Sequence, residues 1–198
     1  MKTVDFIFDF ASPNAYLVHR VLPDIAKRTG ATFNYLPCLL GGIFRATGNQ
    51  APMVQNANIK HKNAYEMLEF QRFVTKHRLA KFKMNPHFPV SSLILMRAAI
   101  AAEADGRLME YVEAMMCHMW EAPKKMDDPA VSAAAMTESG FDGPALLARA
   151  QDEAVKKKLM ENTEAAVARG VFGIPTLFVG SEMFFGKERL GQVEDMLR

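Results

Sequence analysis

The chain opens on an alternating, aromatic-rich run, Val4-Asp5-Phe6-Ile7-Phe8-Asp9-Phe10, the pattern of a β-strand. Ser12-Pro13 then supplies a helix cap with proline at the first helical position. Ala15, Leu17, Val18, Val21, Leu22, Ile25 and Ala26 recur at helical spacing up to Gly30, with Pro23 placed to kink the helix. Thr32 to Leu36 reads as a second strand, so the first 36 residues form a β-α-β unit whose crossover demands a parallel pair.

Beyond Pro37 a loop is expected at Thr47-Gly48-Asn49-Gln50-Ala51-Pro52, and helical periodicity then takes over. Helices are predicted over 64–77, 91–104, 108–120, from Asp128-Pro129 to near Gly140, over 144–156 and over 158–169, the last closed by Gly170. Strand character returns at Pro175 to Val179 and Glu182 to Phe185, a hairpin turned by Gly180-Ser181, and a helix from about Glu188 to Leu197 follows. The order β-α-β, helices, β-β-α predicts an α/β fold: a thioredoxin-like domain (residues 1–40 and 171–198) interrupted by an all-α insertion (41–170), whose last helix can pack on the sheet.

Composition narrows the function classes. The 198 residues carry 24 Lys plus Arg against 22 Asp plus Glu, a net charge of +2. The densest basic run is Lys156-Lys157-Lys158, which reads as a solvated helix face, so no nucleic-acid footprint is present. No apolar stretch approaches the roughly 18 residues of a membrane span. The start of the chain enters a strand directly, without a signal-peptide pattern, and a cytoplasmic protein is expected. Cys38 and Cys117 form no Cys-x-x-Cys pair, and His19, His61, His77, His87 and His118 have no ligand spacing, so neither a dithiol centre nor a metal site is expected.

Candidate chemistry gathers at the strand ends. The helix start at Ser12-Pro13 offers free N–H groups and a hydroxyl that suit an anion such as a thiolate. One hydrogen bond to a charged group, worth about 1.5–3 kcal/mol, brings a thiol of ordinary acidity toward neutral pH. Plain helix capping explains Ser12 as well, and the two roles are compatible. In Gly173-Ile174-Pro175-Thr176, residue statistics alone favour a trans bond; a cis bond would turn the Ile174 backbone toward an extended peptide ligand. At Phe185-Gly186-Lys187-Glu188-Arg189, a helix start with Lys187 or Arg189 suits a carboxylate, Glu188 suits an ammonium, and a solvated helix start explains the segment equally. Asn49 and Lys62 carry no meaning by spacing alone.

Taken together, Phe8-Asp9-Phe10-Ala11-Ser12-Pro13 with Tyr16-Leu17, Gly48-Asn49, His61-Lys62 ahead of Tyr65, Asn85-Pro86-His87-Phe88-Pro89, Val171 to Thr176 and Phe184-Phe185-Gly186-x-x-Arg189-Leu190 resemble 2-hydroxychromene-2-carboxylate isomerases and the related kappa-class glutathione transferases. The resemblance spans nearly the whole chain. It implies a DsbA-like thioredoxin fold, a homodimer, and glutathione as cofactor, with Ser12 as the catalytic residue holding the glutathione thiolate. It further implies that Ile174, before a cis Pro175, pairs with the cysteinyl part. Phe185, Gly186, Lys187 and Glu188 would hold the γ-glutamyl end, Asn49 and Lys62 would contact a small electrophilic substrate or the glycine end of glutathione, and Phe88 would contact the substrate. Lys187-Glu188 departs from the Asn-Asp or Ser-Asp pair of the family. The implied activity is isomerisation through reversible thiolate addition to a conjugated, aromatic-derived substrate. A kappa-like transferase or peroxidase and a non-catalytic ligand-binding member of the fold are the alternatives.

Overall fold

The computed structural model describes residues 2–198. A four-stranded sheet has the order β2-β1-β3-β4. β1 (Thr3–Phe8) runs parallel to β2 (Thr32–Pro37), pairing Phe6 with Tyr35. It runs antiparallel to β3 (Thr176–Val179), pairing Ile7 with Thr176, and β3 in turn pairs antiparallel with β4 (Glu182–Phe185). α1 (Pro13–Thr29) connects β1 to β2 and is closed by Gly30 at φ 68°, whose N–H reaches the Ala26 carbonyl. Such a positive φ costs glycine nothing. The apolar positions read from the sequence, among them Leu17, Val18, Val21, Leu22 and Ile25, are the buried stripe of this helix, each worth about 1.5–3 kcal/mol of removal from water. The helix runs through Pro23 unbroken.

The helices between the strand pairs are α2 (Leu40–Thr47), α3 (Pro52–Gln55), α4 (Lys62–Lys76), α5 (Leu93–Ala104), α6 (Leu108–Trp120), α7 (Pro129–Glu138), α8 (Gly143–Arg149) and α9 (Glu153–Ala168); a short 3-10 turn (Lys187–Arg189) leads into α10 (Leu190–Leu197). Three details correct the sequence reading. β1 stops at Phe8 instead of Phe10, because the Asp9 side chain leaves the ladder to accept backbone N–H groups. α2 forms although Gly41-Gly42 discourages a helix; Gly42 lies where a Cβ would stand 3.1 Å from Thr163 of α9, so its smallness admits that helix. The break between α8 and α9 falls at Gln151-Asp152, and the lysine run stands inside α9, not at a helix boundary.

Sheet and helices share one core. Phe6, Phe8, Phe10, Tyr35 and Tyr111 form a chain of edge-on and stacked rings from β1 to α6. A polar network stitches α1 to α6 beside them. Buried His19 bridges the Tyr35 hydroxyl (2.8 Å) and Glu113 (3.0 Å), Arg20 pairs with Glu113 and Glu121, and the Tyr16 hydroxyl donates to Glu121 at 3.0 Å. Burial pushes the Tyr16 phenol up to about 12. No helix among the described residues is long and apolar enough to cross a membrane.

Candidate functional site

The site is built where the C-terminal end of β1 hands the chain to α1, beside the segment that enters β3. Ser12 takes an extended backbone (φ −90°, ψ 111°) and caps α1 by accepting the Ala15 N–H at 3.2 Å. The same hydroxyl donates to the Ile174 carbonyl, also at 3.2 Å, across 162 positions of sequence. Ser12 and Ile174 are both buried. The two ends of the chain meet because β1 and β3 are neighbours in the sheet. The Ile174–Pro175 bond is cis, which corrects the trans expectation from residue statistics and agrees with the resemblance.

The Pro175 carbonyl accepts the Gly186 N–H at 2.9 Å, so the start of the last helical segment is anchored on the same loop. Gly186 adopts φ 92°, and Gly173 is pressed so closely that a Cβ would stand 2.8 Å from the Phe185 ring. Phe185 and Phe172 pack with ring centroids 4.6 Å apart, and both remain partly open to solvent. Asn49 joins this group: its amide donates to the Phe172 carbonyl at 2.7 Å and its oxygen accepts from Gln50 and Gln55. The fold thus brings Ser12, Ile174, Pro175, Asn49, Phe185 and Gly186 into one connected cluster.

Other sequence candidates stand differently. Lys187 is buried, its ammonium 5.6 and 5.8 Å from the centroids of the Phe70 and Phe73 rings and paired with the Glu188 carboxylate. Both side chains line a cavity of about 410 Å³ between α1, α4 and α10, with Phe73, Arg72, Arg28 and Glu194. The charges read as a carboxylate and ammonium site are therefore already joined to each other. Lys62 is the exposed first residue of α4, outside the described ion pairs. Phe88 is half-buried and packs 6.2 Å from Trp120, as does Phe82.

Two residues that the sequence reading passed over support the cluster. The Trp120 indole donates to the Phe10 carbonyl at 2.9 Å, tying the end of α6 to the approach of Ser12. Asp9 is fully buried and accepts from the Ala11 and Leu40 backbone. Its signal in sequence was an acid set between two phenylalanines, Phe8 and Phe10, just past the strand. Cys38 supplies no reactive sulfur here: burial, with the nearby Asp9 charge, pushes its thiol up to about 12.

The donor set fits a thiolate tripeptide: a hydroxyl at a helix start, and an Ile174 N–H that donates to no group among the described residues. A β-α-β unit followed by helices and a β-hairpin, with serine at the head of α1 and a cis proline opposite, defines a thioredoxin-type domain of the DsbA kind without a dithiol centre. The match of residues 3–198 to the DSBA-like thioredoxin domain confirms that the chain belongs to that family.

It is 30% identical to the 2-hydroxychromene-2-carboxylate isomerase of Sphingobium xenophagum, over 99% of this chain and 98% of that protein. It is 26% identical to the glutathione S-transferase kappa 1 of Rattus norvegicus, over 96% of this chain and 88% of that protein. Among solved structures it superposes on a 2-hydroxychromene-2-carboxylate isomerase with a TM-score of 0.84 at 29% identity, covering 98% of this chain and 94% of the other. The probable DsbA oxidoreductase of Streptomyces coelicolor, at 14% identity, TM-score 0.73, and 100% and 90% coverage, shares the fold.

Proposed function

We propose that this protein is a glutathione-dependent isomerase of the 2-hydroxychromene-2-carboxylate isomerase type. The carrying observation is the Ser12 hydroxyl, held between the head of α1 and the Ile174 carbonyl by two contacts of 3.2 Å. An O–H···O bond of that length is well beyond the usual 2.7–2.8 Å. The hydroxyl is therefore weakly committed and free to turn toward a better acceptor, while the helix dipole favours a negative charge at the same point.

When bound, glutathione would supply a thiolate able to add reversibly to a conjugated substrate. Ser12 holds that negative charge, the Ile174 backbone aligns the peptide, and Asn49 fixes the Phe172 carbonyl so that the loop keeps its place. Phe185 and Gly186 border the γ-glutamyl end, where Glu188 meets the ammonium only by sharing its carboxylate with Lys187. Phe88, beside Trp120, offers an aromatic wall for a flat substrate, and Lys62 an exposed cation for its carboxylate. Two free cysteines suit a reducing cytoplasm, and the exposed Met53, Val54, Ile59, Tyr65 and Leu68 suit a homodimer contact.

Titrating the bound thiol by ultraviolet absorbance tests this reading. Ser12→Ala is expected to make bound glutathione about 10- to 100-fold less acidic, the loss of one hydrogen bond to a charged group; equal acidity in both proteins refutes it. The similarity to kappa transferases favours a second reading, a transferase or peroxidase, which consumes glutathione in proportion to product where an isomerase does not.

A further inference from the structure

Asp9 is a buried carboxylate that the proposed chemistry leaves unused. One oxygen accepts the Ala11 N–H at 2.8 Å, inside the turn that delivers Ser12, and the other accepts the Leu40 N–H at 2.7 Å, the first residue of α2. Its own carbonyl takes the Ser12 N–H at 3.1 Å. Three bonds to one residue thus fix the turn that leads into Ser12, at the Ala11 and Ser12 N–H groups, and fasten it to the helix that leads through Gly48 to Asn49. The half-buried Ala11 and Leu40 N–H groups belong to segments that no regular ladder satisfies, so without Asp9 they would lose their protein acceptor.

Desolvation is costly for such a group: burial pushes the Asp9 carboxyl up from its ordinary value, while the Ser92 side chain and the backbone N–H donors of Ala11 and Leu40 favour the ionised form that accepts them. A carboxylate this close to the head of α1 also disfavours a thiolate there by like-charge repulsion. A residue that opposes the proposed anion electrostatically and is expensive to bury has its use in geometry. We propose that Asp9 is the positioning residue of this site, holding the Ser12 hydroxyl and the α2–Asn49 segment in one fixed relation. This rests on the glutathione reading above and adds to it the part that sets the hydroxyl's place.

The two effects of Asp9 have opposite signs, which makes them separable. Asp9→Asn keeps the shape but removes the charge and turns one acceptor into a donor facing an N–H. With Ser12 present, the displaced hydroxyl is expected to make the bound glutathione thiol about tenfold less acidic. With Ser12→Ala in the background, only the lost repulsion remains, and Asp9→Asn leaves the thiol equally or more acidic. The measurement is a double-mutant cycle on the ultraviolet titration of bound thiol. The same effect in both backgrounds, or none beside an intact Ser12, overturns the proposal.

Amide hydrogen exchange on the unsubstituted protein gives a second arm that needs no variant to fold. The Ala11 and Leu40 amides are expected to be protected, and free exchange at either overturns the clamp. A wild-type protein that fails to acidify glutathione at all defeats the glutathione reading instead, and the exchange arm then decides the clamp alone.

Discussion

Replacing Trp120 by Phe tests how the helices hold the site's approach. Trp120 is the last residue of α6 and is completely buried. Its indole N–H donates to the Phe10 carbonyl at 2.9 Å, two residues before Ser12, and its ring packs against Phe82 and Phe88 at 6.2 Å each. Phenylalanine keeps an aromatic ring but strands the Phe10 carbonyl in the interior, at a cost of about 1–3 kcal/mol. The smaller ring also leaves unfilled space, at about 24 cal/mol per Å³ of residual cavity. Together these give a loss of about 2–4 kcal/mol. In a domain of this size each kcal/mol moves Tm by about 2–4 °C, so Tm should fall by about 4–16 °C. Thermal unfolding followed by circular dichroism, with urea unfolding to check that the m-value is unchanged, measures it. A fall of less than about 2 °C would mean that the indole bond does not tie α6 to the turn between β1 and α1 in solution, and the reasoning fails.

Two further outcomes follow from other parts of the molecule. The His19 hydrogen bond, helped by Arg20, holds the Glu113 carboxyl down at about 2 against an ordinary 4.5, despite opposing desolvation. The unfolded chain takes that proton first, so this contribution is complete above pH 4.5 and is lost as pH falls toward 2; Glu113→Gln should flatten the acid limb of stability between those values in urea titrations, and an unchanged slope argues against the network. Gly173→Ala would place a Cβ 2.8 Å from the outer edge of the Phe185 ring, which is partly exposed. Stability should drop only at the low end of the about 1–3 kcal/mol typical of overpacking, while glutathione Kd by calorimetry rises several-fold; an unchanged Kd would separate Phe185 from the ligand.

What the sequence disclosed, and what it hid, divides along the range of the forces involved. β1 and α1 were readable because alternation, a Ser-Pro cap and a terminal glycine are local signals, each acting within a few residues. The boundary between α8 and α9 was placed near residue 157, whereas the chain turns at Asp152, which takes an extended backbone without a side-chain cap bond and so leaves little local signal. α2 was missed because Gly41-Gly42 argues against a helix locally, and only the approach of Thr163 from α9 gives Gly42 a reason to be small.

The site divides in the same way. Ser12 was nominated by its cap, yet the bond that gives it a second role goes to Ile174 and depends on β1 lying beside β3. Lys187 shows the limit most clearly. In sequence it is a cation at a helix start, while in the fold the rings of Phe70 and Phe73 on α4 cover it and Glu188 neutralises it. A lysine so enclosed is stable only while its carboxylate partner stays, since an uncompensated buried charge is far costlier than an exposed one. A cation arriving at the exposed Glu188 carboxylate therefore competes with Lys187 as well as with water. The environment of this charge pair is thus set by α4, an element that contributes no residue of its own to the Ser12–Ile174 cluster.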